Sequence, residues 1–316
     1  MSVRYLLIRL AYLVLTALLV TMIVFGVTQI LPADAATMIL GEYATDEARA
    51  AIEARLGLDD PAVVQYWRWL TGVLQGDFGV SLRTGQPVGP IILAALGKSA
   101  ILAVLSLTMV CLIAIPLGVA AAARRGSGSD LSLSLVSYIG VSLPEFVLAT
   151  LLLVWLASPA VALFPASGYV PFSEDPLAAL HRIALPVMTL TIILTAHISR
   201  MVRSEMADTL ETDYIRAARL RGLPRRQVLF RHALRNSMLP VITIIALDVG
   251  YLIGGIIVVE EVFAFPGIGR QLILAIENRD LPMMQAGALI MAASYAFANL
   301  VADLAYAVLD KRIQYS

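Results

Sequence analysis

The chain has 316 residues, of which 59% are hydrophobic and 15% charged, and its mean hydropathy is +0.83. Soluble domains carry about 45–50% apolar and about 25% charged residues, so a water-soluble fold is excluded and an integral membrane protein is expected. The formal net charge of zero says nothing about partners, because the charges are segregated by loop, and the single cysteine, Cys111, rules out an intrachain disulfide.

Six apolar runs approach or exceed the roughly 20 residues that a helix needs to cross a bilayer. The first, at about 10–31, follows Arg4 and Arg9 as a secretory leader would. It is too long for a leader's apolar core and no small-residue cleavage site closes it, so a retained helix is expected. The second is predicted at about 99–123 with Pro116 inside, and the third at about 131–157. The fourth, fifth and sixth follow at about 184–203, 239–260 and 283–308.

Between the first two runs, the 32–92 segment has structure of its own. Thr45 caps a predicted helix in TDEARAAIEARLGL that stops near Gly57. VVQYWRWLTGVLQGDFG is a second amphipathic stretch, with Tyr66, Trp67 and Trp69 suited to a membrane interface. It reads equally as a surface helix packed on the bundle and as a contact for a partner outside the membrane.

Charge orients the chain. The 204–238 loop with flanking Arg200 and Arg203 carries nine arginines against four acids, and Arg124, Arg125, Lys311 and Arg312 fall on its side. The 32–92 loop carries eight acids and four arginines. An excess of basic residues marks cytoplasmic loops, so both termini and the 204–238 loop are expected in the cytoplasm.

Catalytic and metal signatures are missing. GKS at 97–99 lacks the earlier glycine of a phosphate-binding loop, that position being Ile92, and no HExxH, CxxC or GxSxG occurs. The three histidines, His181, His197 and His232, are far apart in sequence, so no metal site is expected.

The 214–240 stretch, YIRAARLRGLPRRQVLFRHALRNSMLP, holds seven arginines and no acid. Asp213 or Thr212 suits the cap of a short helix. Tyr214, Ala217 and Ala218 fall on one predicted face, and Arg216 and Arg219 on another. Gly222 permits the left-handed turn that stops a helix, and Pro224 suits the first turn of the next, which runs on into the fifth span. The small-residue face and the Gly-Leu-Pro break favour a docking element over a loop that only fixes topology.

RAARLRG followed by NSMLP resembles the cytoplasmic signature of bacterial ABC-importer permeases, Glu-Ala-Ala, then Gly, and later Ile/Leu-Pro. Ala217, Ala218, Gly222, Leu239 and Pro240 match it, Arg216 replaces the acid, and the spacing differs slightly. LGLDDPAVVQYWRWLTGVLQGDFGVSLRTGQPV, GVSLPEFVLATLL, LIGGIIVVEEVFAFPGIGRQLILAIENRDLPMMQ and LDKRIQ are similar to the B-type permease of dipeptide, oligopeptide and nickel importers, over nearly the whole chain.

The resemblance implies an all-α type I ABC-importer permease fold with six transmembrane helices in the bacterial inner membrane. The expected division is an N-terminal helix at 1–31, an extracytoplasmic segment at 32–92 and a permease core at 93–316. It implies a homologous C-type permease, two cytoplasmic ATPases holding ATP and Mg, and an extracytoplasmic solute-binding protein, with no cofactor in this chain and no nucleic-acid partner. A helix at 212–223 would couple to one ATPase through Tyr214, Arg216, Ala217, Ala218, Arg219, Gly222 and Pro224.

Ionisable residues at bilayer depth point to function, since each costs about 2.5–3.5 kcal/mol there. Asp248 and Glu145 are expected to line the solute pathway, with His197 and Asp303 as further intramembrane polar positions. In the 260–280 stretch, Phe265, Pro266 and Gly267 turn the chain, Gly269 adds flexibility, and a short helix at about 270–276 follows. These residues are candidates for an outer gate or a binding-protein contact. Peptides are the first expectation for cargo, with nickel or metal chelates, glutathione and opine-like solutes open. A stand-alone secondary transporter would show internal repeats and a membrane enzyme a catalytic set; the chain shows neither.

Overall fold

The computed structural model describes residues 3–30, Thr45 and 60–309. The predicted Thr45-capped helix and the C-terminal LDKRIQ lie outside them, as does the side chain of Asp303. The described residues are helical apart from turns and one isolated antiparallel bridge, Val80 to Pro87. In chain order the helices are α1 (Val3–Ile30), α2 (Ala62–Leu74), α3 (Val88–Ala123), α4 (Gly128–Ser142), α5 (Glu145–Leu156) and α6 (Pro176–Leu210). Then come α7 (Asp213–Leu220), α8 (Arg225–Val262), α9 (Ile268–Glu277) and α10 (Leu281–Leu309).

Four of these, α3, α6, α8 and α10, are long and apolar enough to cross a membrane, and the pair α4 and α5 makes a fifth span if its two pieces count as one. The third expected span, 131–157, is this pair, and the chain bends by 104° between its two pieces. Proline has no N–H to donate, and its ring pushes the preceding residue out of the helical region. Leu143 is accordingly extended at φ −85°, ψ 124°, and Pro144 continues at φ −61°, ψ 147° before α5 begins. Pro116, Pro186 and Pro240 sit inside unbroken helices. The second span begins at Val88, earlier than expected, and the fourth, Pro176–Leu210, overruns its expected 184–203 at both ends.

The chain divides into two compact units, residues 100–265 with 298–309, and 3–99 with 266–297 among those described. In the first, Leu102, Val110 and Ala114 of α3, Ala149 of α5, Leu194 and Ile198 of α6 and Val241, Leu252 and Val259 of α8 form one buried cluster. Glycines permit close helix approach there, as is usual where lipid gives no hydrophobic drive for association. A Cβ on Gly118 would lie 2.5 Å from Val202 and 2.6 Å from the Ser199 carbonyl, and one on Gly140 would lie 2.7 Å from Ala196.

In the second unit, Tyr66 and Leu70 of α2 bury against Phe25 of α1. The Phe25 and Tyr66 rings meet edge to face at 5.4 Å, and the Tyr66 and Thr21 hydroxyls are 2.8 Å apart. This packing, with Trp67 left exposed, supports the surface-helix reading of α2. A separate cluster joins Val88, Ile92 and Ala95 of α3 to Ile268, Met283 and Ala286.

Candidate functional site

Three regions carry the residues singled out in the sequence. The first is the elbow from α6 to α8. Thr212 holds the cap position of α7, but its hydroxyl donates back to the Thr209 carbonyl, so no side chain caps the helix. Asp213 sits in the first turn, where the helix dipole favours a negative charge, and Arg216 donates to it at 3.1 Å. Ile215 and Ala218 face the unit's core, Ala218 being 8% exposed. The single small-residue face expected for Tyr214, Ala217 and Ala218 is therefore split. Tyr214, Ala217, Arg216, Arg219 and Leu220 are exposed, whereas Ala218 is a packing residue.

Helix α7 stops as the sequence predicts. Gly222 is left-handed at φ +76°, its N–H donates to the Arg219 carbonyl, and the Leu223 N–H donates to the Ala218 carbonyl. This is the Schellman pattern, in which two backbone donors close the last turn. Nothing lies within 4 Å of a Cβ on Gly222, so the turn stands clear of its surroundings. Pro224 is the cap residue of α8 rather than part of its first turn.

Several basic residues brace the elbow. Arg225 donates to the carbonyl of Ala123, the last residue of α3, and Arg219 makes a longer 3.5 Å contact to that of Leu210, the last of α6. Arg125 pairs with Glu211 at 2.5 Å, both side chains well exposed. These groups border a groove of about 550 Å³ lined also by Ala207, Leu223 and Val228. Deeper, Arg203 grips the buried Asp130 by two bonds, Nε to Oδ1 at 2.5 Å and Nη2 to Oδ2 at 2.7 Å. Such a fork is stronger than a single bond. Tyr214 Oη accepts from Asn236 Nδ2 at 2.8 Å and ties α7 to α8.

The second region is a polar row across α5, α6 and α8. His197 Nδ1 lies 3.0 Å from Asp248 Oδ2; the carboxylate is buried and the ring more open, at 10% and 37% side-chain exposure. One turn along α8, Tyr251 donates its phenolic proton to Glu145 Oε1, and Glu145 stands at the first residue of α5, directly after the 104° bend. The two expected pathway acids thus each have a partner. Sequence spacing had given no sign of either, since the partners are 51 and 106 residues away.

The third region is the 260–280 turn. Ala264 ends α8 in the left-handed region at φ +50°, with Phe265 N–H on Glu260 O and Ala264 N–H on Glu261 O, the same two-bond stop as at Gly222. Phe265 is 2% exposed and packs edge to face on Tyr169 at 5.6 Å. Its ring is anchored in the core at the turn expected for Phe265, Pro266 and Gly267. Gly267 caps α9 in extended conformation, while Gly269 lies buried inside α9 and supplies no flexible joint. Ser99, of the GKS triplet, accepts the N–H of Ile268 at 2.9 Å. Arg279 repeats the left-handed stop at φ +53°, and buried Asp280 then accepts from Ser81 Oγ at 2.5 Å and Leu82 N–H at 3.2 Å. Among the described residues no group of three His, Cys, Asp or Glu is arranged to hold a metal.

The model of the family described as "Binding-protein-dependent transport system inner membrane component" matches residues 114–315. That of the N-terminal part of such membrane components matches residues 2–103. A permease protein of Brucella suis biovar 1, assigned to a peptide transport system, is 37% identical over 97% of this chain and 98% of its own length. The oligopeptide transport system permease protein AppB of Bacillus subtilis is 36% identical over 94% of both chains. The glutathione transport system permease protein GsiC of Salmonella paratyphi A is 36% identical over 99% of both.

Proposed function

We propose, for a chain that belongs to the family of binding-protein-dependent transport system inner membrane components, that it forms half of the translocation pathway of a peptide importer and is driven through α7. The chain is a multi-pass inner-membrane permease subunit of an ABC importer and not an enzyme; ATP is hydrolysed in separate subunits, and a binding protein brings the solute.

The finer arrangement belongs to the proposal. Helix α1 completes six spans, both termini and the elbow face the cytoplasm, and residues 32–92 lie outside as a segment distinct from the 93–316 core. The partners are a homologous C-type permease and two ATPases that hold the ATP and Mg; this chain needs no cofactor of its own. The peptide cargo rests on the names of the relatives from Brucella and Bacillus, and glutathione is the second reading, after the Salmonella relative. Asp248 and Glu145 attract a cationic group such as a peptide amino terminus. Pro266 and Gly267 shape the outer side, where Phe265 and Gly269 hold the turn in place.

One observation carries the coupling role: α7 exposes Tyr214, Arg216, Ala217 and Arg219 on an elbow that ends at an unencumbered left-handed glycine. Reconstitution of the complex with its ATPases and binding protein tests it. Peptide uptake that needs ATP, and that is lost in Ala217→Glu while the ATPases still bind and hydrolyse, is the expected result. Uptake by this chain without ATPases, or normal uptake in Ala217→Glu, overturns it. Maleimide labelling of a cysteine introduced at Arg221, with Cys111 replaced, decides the orientation: labelling from the cytoplasmic side alone is expected.

A further inference from the structure

The start of α8 contains a π-helical turn, Val228–Ala233. Its inward residues are Val228, Ala233, Ser237 and Val241, steps of five, four and four. Arg226, Arg231 and Arg235 follow the same steps two residues earlier, and all three are exposed. Two residues correspond to about 200° around a helix, so the arginines form one row opposite the buried side. Without the π-turn, Val228 and Ala233 would point about 140° apart and the arginines would scatter in the same way.

None of the three has a carboxylate partner among the described residues. The row continues into apolar surface: Leu239, one step further, is exposed, Leu247 beyond it is 64% exposed, and exposed Phe230 flanks the arginines. Basic groups therefore stand at the end of a helix face whose next exposed large side chains are Leu239 and Leu247, with Thr243 between them turning its hydroxyl back to the Leu239 carbonyl.

We propose that Arg226, Arg231 and Arg235 bind the phosphate of an anionic phospholipid of the inner leaflet, with its acyl chains along Leu239 and Leu247. The site rests on the cytoplasmic orientation of the elbow proposed above. Guanidinium forks match phosphate oxygens in pairs, and the anionic leaflet attracts each basic residue near its surface. An acidic protein partner would satisfy the charges equally, but it would not call for apolar surface directly below them. Phe230 fits the boundary between headgroups and chains.

The test places the full chain in phosphatidylcholine nanodiscs doped with phosphatidylglycerol and measures, by native mass spectrometry, how much phosphatidylglycerol stays bound. Each arginine is expected to contribute about fivefold in affinity, so R226Q/R231Q/R235Q should lose about a hundredfold. R226K/R231K/R235K should lose less, and Arg68→Gln should change nothing. If the triple variant fails to give a cooperative thermal transition, Arg231→Gln alone decides, with a fivefold loss expected. Retention equal to the parent chain overturns the site. Equal competition by soluble glycerophosphate makes it a free-anion site and overturns it too, as does loss of ATPase co-purification with lipid retention unchanged. Labelling of position 221 from the outer face would instead refute the orientation, so the two failures are distinguishable.

Discussion

The elbow after α7 and the 260–280 turn use the same backbone device and put it to opposite ends. Both stop a helix with a left-handed residue and two backbone hydrogen bonds. At the elbow that residue is Gly222, which takes the conformation without steric cost and leaves open space where a Cβ would stand. In the turn the residues are Ala264 and Arg279, each held in a region that costs a non-glycine residue on the order of 1 kcal/mol. Their neighbours hold them there: Phe265 and Asp280 are almost fully buried. The pattern separates an unencumbered turn from an anchored one, the difference that the proposed coupling role of the elbow calls for.

The largest effect is expected where the turn is anchored. Phe265→Ala removes a buried ring and should destabilise the chain by about 3–5 kcal/mol, read as a lowered unfolding midpoint in detergent. Asp280→Ala strips the acceptor from Ser81 and Leu82 and should cost about 1.5–3 kcal/mol. The unfolding midpoint and proteolysis between residues 78 and 88 report it together. At the elbow the balance should reverse. Gly222→Pro cannot adopt a positive φ and forfeits the N–H bonded to Arg219, yet the membrane bundle should unfold nearly as the parent does while peptide-stimulated ATPase activity disappears. A large drop in bundle stability there would erase the contrast. Ala264→Gly should leave transport unchanged and gain up to about 1 kcal/mol from relieved strain. Arg125→Gln, which breaks an exposed ion pair, should stay within about 1 kcal/mol of the parent.

The sequence made four of the spans and the helix-break-helix of the elbow legible, because apolar length and the Gly-Leu-Pro break act locally. It could not show that Ala218 faces inward, since an inward face is set by what the helix packs on, and Ile215 beside it decides that. Pro144 could not be told from Pro116, Pro186 and Pro240 by its type alone; it is the one at which the chain bends. The pairing of His197 with Asp248 and of Glu145 with Tyr251 depends on how α5, α6 and α8 cross, which no short window contains. Gly269 misled for a related reason: glycine means flexibility in a loop but close packing in a buried helix.

Arg225 and Arg219 reach from the elbow to the final carbonyls of α3 and α6. Arg219 belongs to α7 and Arg225 to the start of α8, so lifting the elbow away would break both contacts. The cheaper motion keeps those bonds and carries both helix ends along. A stroke delivered to one short surface helix would then be shared at once by two long ones, and the smallest unit able to swing would be the elbow together with those two ends.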